Sequence, residues 1–490
     1  MAVTGLRGLT LVLGLLVVVT LTATALMIAT LDIYIAISCA FIADIYVLWL
    51  SRQKNAKGSS IGLAPLLLVL TVPLYLSIVL FFYGYLGGLL EAVSRTILTT
   101  GFCIAFFITT YPLIPAAQFK AVETHLPQNH TMPLVSILVP AFNEQGVISR
   151  TLNSLVNIKY PKKEIVVIDD GSSDLTKFVA LGYKKYGVRV VSKPNGGKAS
   201  ALNYGLLFAR GDIVITIDAD SMVTRDAVDE IVRSMASNPD IVAVAGNIKV
   251  LNSNSVLTRI QELEYTMAIN TIRRAFALFG AVMVIPGAFG AFKKQTVMEV
   301  GGYDTDTVTE DFDVTIKLLK TRGAVSSSSA ANAFTEVPSS WKALYKQRVR
   351  WGTGTFQTII KHRDIFGNSR YGKLHSFVFP IMLFSLFNPL ASFLALGAGI
   401  VLALTGGFLL FAEMLGMFLL IQLLVSLFAL SMDDEGSGLA LYSPFFVFIY
   451  KQFLDVITVV SVLKALTGKG KKWQKLQRSG GLDAIQIRNA

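Results

Sequence analysis

In DIVITIDADS, residues 212–221, five β-branched residues in a row run straight into two carboxylates one residue apart, Asp218 and Asp220. An apolar run with no alternation is what a strand covered on both faces requires, and an acidic end marks where it leaves the sheet. The same form recurs on either side: VSILVP (135–140), EIVVIDDGSSD (164–174) and VRVVS (188–192) before it, IVAVAGN (241–247) after it. Stretches of helical length separate these runs. Strands alternating with helices predict an α/β domain around a mostly parallel sheet, Rossmann-like in layout. Ligands of such sheets bind beyond the carboxyl ends of the strands. Asp169, Asp170, Asp218 and Asp220 all fall there.

Outside residues 135–351 the chain is of another kind. Of its 490 residues, 53% are hydrophobic and only 16% charged, which places it among membrane proteins. A helix crossing ~30 Å of hydrocarbon needs about 20 apolar residues. Residues 8–31, 33–50, 63–85 and 96–114 supply four such runs before the polar segment, with Asp44 the one charge in the second, read as facing a neighbouring helix. After it, 376–405, 408–431 and 441–466 give two or three more; Asn388-Pro389 interrupts the first, and Lys451 and Asp455 punctuate the last. Arg52, Lys54 and Lys57 crowd the loop after the second run, so the positive-inside rule assigns that loop, and the polar domain with it, to the cytoplasm. An odd count of late spans would put the basic tail (Lys469 to Arg478) outside, so one late segment is expected to be interfacial or re-entrant. The formal charge of +12 suits an anionic leaflet, and no basic-aromatic nucleic-acid signature accompanies it. Cys39 and Cys103 lie in apolar runs and read as inert buried thiols. The chain thus divides into N-terminal helices (1–118), the α/β domain (119–338), an interfacial amphipathic helix (339–372), C-terminal helices (373–467) and a basic tail (468–490).

Two carboxylates spaced as in Asp218-Ala219-Asp220 project to one side of a turn, where they can share a hard cation with phosphate oxygens. Oxygen-only ligands select Mg2+ or Mn2+. Asn195-Gly196-Gly197-Lys198 is a donor-rich loop ending in an ammonium, suited to clamping phosphate. It is not a P-loop: Ser192 stands where the first Gly is needed, and Ala199 follows the Lys. Thr309-Glu310-Asp311 opens a helical stretch, FDVTIKLLK. Periodicity alone favours a cap there, with Thr309 as N-cap; the functional alternative is a general base. From 339 to 362 the pattern is a basic amphipathic helix, with Trp341, Leu344, Tyr345, Val349, Phe356 and Ile360 on one side and Lys342, Lys346, Arg348 and Lys361 over the other. Within it, Arg350 suits a phosphate and Trp351 a sugar face.

Taken in order, PAFNE (140–144), DDGSSD (169–174), GGKASALN (196–203), DAD (218–220), TED (309–311) and QRVRW (347–351) resemble the processive, membrane-embedded family 2 glycosyltransferases, among them cellulose, chitin, hyaluronan and bacterial poly-N-acetylglucosamine synthases. The resemblance covers residues 133–352. It implies a GT-A fold with Pro140, Ala141, Glu144, Asp170, Lys198, Asp218, Gln347 and Arg350 at the nucleotide-sugar donor, Asp170 reading the uracil. It further implies Asp220 and Asp218 at the metal, Asp311 as the base with Glu310 beside it, and Trp351 under the acceptor sugar. PGAFG (286–290) stands in the place of the acceptor loop, giving Gly287, Ala288 and Phe289, but lacks the Cys of the cellulose synthase FFCG pattern. The implied activity is inverting, processive transfer from a UDP-sugar, UDP-N-acetylglucosamine before UDP-glucose, to a growing polysaccharide exported through the membrane domain. Expected partners are the UDP-sugar, the polymer, membrane lipid and, in some members, an accessory subunit, with no nucleic acid. The alternative within the superfamily is single transfer to a lipid such as polyprenyl phosphate. From another class, the rival is a channel or carrier with a regulatory nucleotide-sugar domain.

Overall fold

The computed structural model describes residues 88–127 and 130–467. The expected spans at 8–31, 33–50 and 63–85, with Asp44, Cys39 and the Arg52–Lys57 loop, lie outside those residues, as does the basic tail. The strands are β1 (Val135–Ala141), β2 (Lys163–Asp169), β3 (Val188–Ser192), β4 (Ile213–Thr216), β5 (Met222–Val223), β6 (Ile241–Val250), β7 (Gly290–Lys293) and β8 (Ala324–Thr335). They form one sheet in the order β3-β2-β1-β4-β7-β6-β8-β5. The β3-β2-β1-β4 half is wholly parallel, while β7 runs antiparallel to both β4 and β6. The five apolar runs of the sequence are five of these strands.

Burial explains why the runs do not alternate. In β1 and β2, Ile137, Leu138, Val139, Val166, Val167 and Ile168 are fully buried on both faces, each such side chain stabilising the fold by ~1.5–3 kcal/mol. The helix Lys198–Phe208 lies so close over one face that a Cβ on Gly205 would meet Ile168 Cδ1 at 2.8 Å. Glycine there sets the approach of the helix and hence the place of its first residue, Lys198. Strands β1, β2 and β4 end at Ala141, Asp169 and Thr216, so Asp170, Asp218 and Asp220 gather at one edge.

The described residues fall into two compact units. One holds Pro115–Leu383 and the residues from Val456 onward, so the helix Trp341–Lys361 belongs with the sheet. The other runs up to Ile114 and includes Phe384–Asp455. Three segments of the described residues are long and apolar enough to cross a membrane: Leu89–Thr124, Leu374–Met432 and Ser437–Leu466. The middle one contains two helices, Phe379–Leu402 and Phe408–Met432, with a break at Gly406, whose φ of +110° only glycine adopts readily. Pro389 does not interrupt the first of these, contrary to the sequence reading; one missing N–H leaves the remaining ladder of a long apolar helix in place. The charges of the last run are paired: Lys451 Nζ donates to Asp455 Oδ2 at 2.6 Å and to Ser392 Oγ at 2.9 Å. Pairing of this kind is what keeps ionisable groups tolerable in an apolar helix. Cys103 is a buried thiol.

Candidate active site

Lys198 is the centre from which the site is built. Gly197, at φ +85°, turns the chain into the helix that Lys198 begins. The ammonium reaches Asp218 Oδ1 at 2.6 Å and Glu310 Oε1 at 3.2 Å. Glu310 and Asp311 form the first turn of the helix Glu310–Lys320, where the helix dipole favours negative charge. Thr309 stands at the N-cap, yet its side chain makes no capping hydrogen bond. Asp311 takes two backbone donors instead: Phe312 N at 2.8 Å to Oδ1, and Gly287 N at 3.2 Å to Oδ2. Three segments far apart in sequence, the end of β4, the 286–290 loop and the start of this helix, thereby meet around one ammonium.

The charges set one another's titration. Burial would pull the Lys198 ammonium down, but Asp218, Glu310 and Asp311 outweigh it and hold the group well above its ordinary range. Burial raises the Asp311 carboxyl, and the negative charge of Glu310 raises it further; Lys198 and the two backbone donors pull the other way, leaving it at about 6. A carboxylate poised there is ionised at neutral pH yet basic enough to accept a hydroxyl proton. Gly287 is glycine for a steric reason: a Cβ there would lie 2.2 Å from Lys198 Nζ. Gly287→Ala is therefore expected to push the ammonium off Asp218 and lower activity ~10-fold or more with the thermal melt unchanged; full activity in the variant would refute this packing.

Other predicted donor residues are placed differently. Asp170 is buried, and its carboxylate accepts Gly197 N at 2.8 Å, Gly196 N at 3.1 Å and the Lys193 ammonium at 2.7 Å. It thus shapes the loop that presents Lys198. Pro140 and Ala141 are buried within β1; Ala141 offers its carbonyl, which takes Asp170 N at 2.9 Å. Glu144 is half-buried and its N–H donates to Thr176 Oγ1. Phe289, expected at the acceptor, is fully buried in the core, its ring lying where a Cβ on Gly246 would be. Apolar packing has taken that ring, leaving Gly287 and Ala288 as the half-buried part of the loop.

The expected metal ligands fit a hard cation. Asp218 is half-buried and Asp220 buried beyond the end of β4; both offer oxygen atoms alone, the donor type of a hard cation, and Asp218 is held by Lys198 at 2.6 Å. A different cluster, Asp304, Asp306 and Asp313, brings three carboxylates within 4.8 Å. That one already holds a cation, for the Lys361 ammonium lies 2.6, 2.7 and 3.1 Å from their oxygens.

The helix Trp341–Lys361 places one of its cations differently from the sequence reading. Arg348, expected with Lys342, Lys346 and Lys361 on the side opposite the apolar residues, is buried and pairs with Glu264 at 2.7 Å. A buried acid on a neighbouring helix has drawn the guanidinium inward, because an unpaired buried carboxylate is costly. The Arg348 guanidinium also lies 4.3 Å from the centroid of the Trp351 ring, and that ring packs against the sheet core. Gln347 is buried, its Oε1 without a hydrogen-bond partner among the described residues, and Arg350 is half-buried. Glu264, Asp313 and His362 were missed in the sequence, since nothing local marks an acid or a histidine as the partner of a distant cation.

Residues 136–301 match glycosyl transferase family 2. The poly-beta-1,6-N-acetyl-D-glucosamine synthase of Staphylococcus epidermidis is 36% identical over 246 residues, 50% of this chain and 59% of that protein. The synthase of the same name from Staphylococcus aureus strain MSSA476 is 37% identical over 238 residues, 48% of this chain and 57% of the relative. The chain thus spans less than two thirds of the length of the curated relatives it matches. A mannosyltransferase from Pyrobaculum calidifontis, solved with GDP-Man and Mn2+, superposes with a TM-score of 0.54 at 23% identity, covering 78% of this chain and 99% of its own. That likeness establishes the GT-A fold.

Proposed function

We propose that this chain, whose residues 136–301 form a glycosyl transferase family 2 domain, is a polysaccharide synthase that extends a polymer processively from a UDP-sugar, with UDP-N-acetylglucosamine the favoured donor. The observation that carries the reading is the placement of Lys198 between Asp218 and the Glu310-Asp311 pair at the carboxyl edge of the sheet. The likeness to poly-N-acetylglucosamine synthases supports the choice of donor.

In the reaction, Asp311 takes the proton of the acceptor hydroxyl as that oxygen attacks the anomeric carbon. The new C–O bond forms on the face opposite the departing UDP, whose own bond to the sugar breaks, so the configuration inverts. No covalent intermediate on the protein is required. The Lys198 ammonium would stabilise charge on the diphosphate. Asp218 and Asp220 would hold a divalent cation, Mg2+ or Mn2+, which when bound offsets the charge of the leaving diphosphate. Gln347 and Arg350 bind the donor, and Trp351, its ring held by Arg348, forms the acceptor platform. The polymer leaves through the apolar helices, from a catalytic domain on the cytoplasmic face of the cell membrane.

Two carboxylates alone make a weak cation site, so metal affinity is expected to rise at least ~10-fold when UDP is present. Calorimetry with Mn2+, with and without UDP, measures this; equally tight binding without nucleotide would count against the site. Product size separates processive synthesis from single transfer. Polymer from labelled UDP-sugar supports the reading, whereas a single-sugar lipid and no polymer would select the lipid-acceptor alternative.

A further inference from the structure

Asp313 lies two residues beyond Asp311 on the helix Glu310–Lys320, and it is fully buried. Its Oδ1 is 2.9 Å from His362 Nε2 and 3.1 Å from Lys361 Nζ, both at the end of the helix Trp341–Lys361. Lys361 also holds Asp304 at 2.6 Å and Asp306 at 2.7 Å, and Asp304 is gripped a second time by Lys317 at 2.8 Å. The loop leading into Thr309-Glu310-Asp311 is therefore tied to Lys361, which also holds Asp313, and to Lys317 of the helix that follows it. Burial would lower the Lys361 ammonium, but the three surrounding acids outweigh that and hold it raised, so it stays charged at any working pH.

The same two helices touch at a second point. A Cβ on Gly354 would lie 2.4 Å from Thr309 Oγ1, so the backbone of the helix Trp341–Lys361 runs directly against the residue before Glu310. One contact falls at Thr309 and the other at Asp313. Asp311 sits between the two fixed points. Upstream of Gly354, the same helix carries Gln347, Arg350 and Trp351.

We propose that Asp313, through Lys361 and His362, is a positioning residue for Asp311: it locks the base-bearing helix in register with the helix that carries the donor and acceptor contacts. The inference rests on the proposed function for the roles of those contacts, while the lock itself is a matter of geometry. Asp313 touches no substrate in this account. Its effect passes through the distance between the base and the acceptor hydroxyl, where misplacement by ~1 Å can cost ~10²-fold.

The test uses the full chain in lipid nanodiscs, comparing wild type with Asp313→Asn, Lys361→Met and the conservative Lys361→Arg. Amide hydrogen exchange over residues 310–320 and 354–362 reads the lock without reference to activity. Exchange is expected to quicken in both segments together in Asp313→Asn and Lys361→Met, and far less in Lys361→Arg. Steady-state kinetics with UDP-N-acetylglucosamine reads the positioning. The transfer kcat of Asp313→Asn is expected to fall ~10-fold or more with donor KM within about twofold, and UDP release is expected to exceed sugar incorporated as water replaces the misplaced hydroxyl. Lys361→Arg should retain most of the kcat. Exchange unchanged in both segments, or quickened in only one, would overturn the lock whether or not polymer forms. Quickened exchange with unchanged kcat, or kcat lost only in step with UDP affinity and the thermal melt, would overturn the positioning role. A wild-type protein that binds UDP but transfers no sugar would overturn the proposed function and the positioning role with it, leaving the exchange result to judge the lock by itself.

Discussion

Asp311→Asn is expected to lower sugar transfer ~10²–10⁴-fold while UDP-sugar binding stays within about twofold of wild type. The amide has the size of the carboxylate and can still accept one of the two backbone N–H groups now bound to it, from Phe312 and Gly287. It cannot take a proton from a hydroxyl. The loss should therefore appear in kcat and not in donor KM, the pattern of an interaction made only in the transition state. Donor affinity by calorimetry and turnover by UDP release measure the two halves. Activity within tenfold of wild type would remove Asp311 from the role of base and return the Thr309-Glu310-Asp311 motif to a helix-starting one.

Lys198→Met should be nearly as damaging and leaves a second signature. The ammonium is the cation that contacts Asp218 at 2.6 Å and Glu310 at 3.2 Å, and it lowers the Asp311 carboxyl against burial and the charge of Glu310. Removing a preorganised cation from the place where diphosphate charge develops is expected to cost ~10²–10³-fold in kcat. In addition, Asp311 loses the charge that favours its ionised form, so its carboxyl rises above its present value of about 6. The sign is definite. In wild type the rate is expected to rise with pH through about 6 as Asp311 ionises and then level off; in Lys198→Met the rise is expected at higher pH, so part of the loss at pH 7 should be recovered on raising the pH. A pH–rate profile with an unmoved midpoint would show that Lys198 and Asp311 do not sense each other.

Much of the sheet was legible because its strands are buried on both faces. Runs such as Ile213–Thr216 and the apolar part of Lys163–Asp169 carry their own evidence of burial, and the acids that follow mark the edge where ligands bind. Lys198, Asp218 and Asp311 were each legible as candidates from type and position. Their convergence is tertiary: it depends on Gly205 letting one helix close on the sheet and on Gly287 leaving room for the ammonium. The partners of the cations on the helix Trp341–Lys361 were not legible for a related reason. Helical periodicity assigns a face from the side chain alone, whereas Arg348 is turned inward by Glu264, and Lys361 by Asp304, Asp306 and Asp313. Asp170 and Phe289 illustrate the limit of motif reading. Each stands at its expected position in the chain, yet one carboxylate is engaged by the loop beside it and the ring has joined the core.

The central claim is tested most directly by incubating the purified full chain in nanodiscs with Mn2+ or Mg2+ and a panel of labelled UDP-sugars, then sizing the products. The account predicts high-molecular-weight polymer from UDP-N-acetylglucosamine, with UDP released in step with sugar incorporated, and neither product from Asp311→Asn. Bound UDP-N-acetylglucosamine with no polymer, or labelled sugar found only on a lipid, would contradict it.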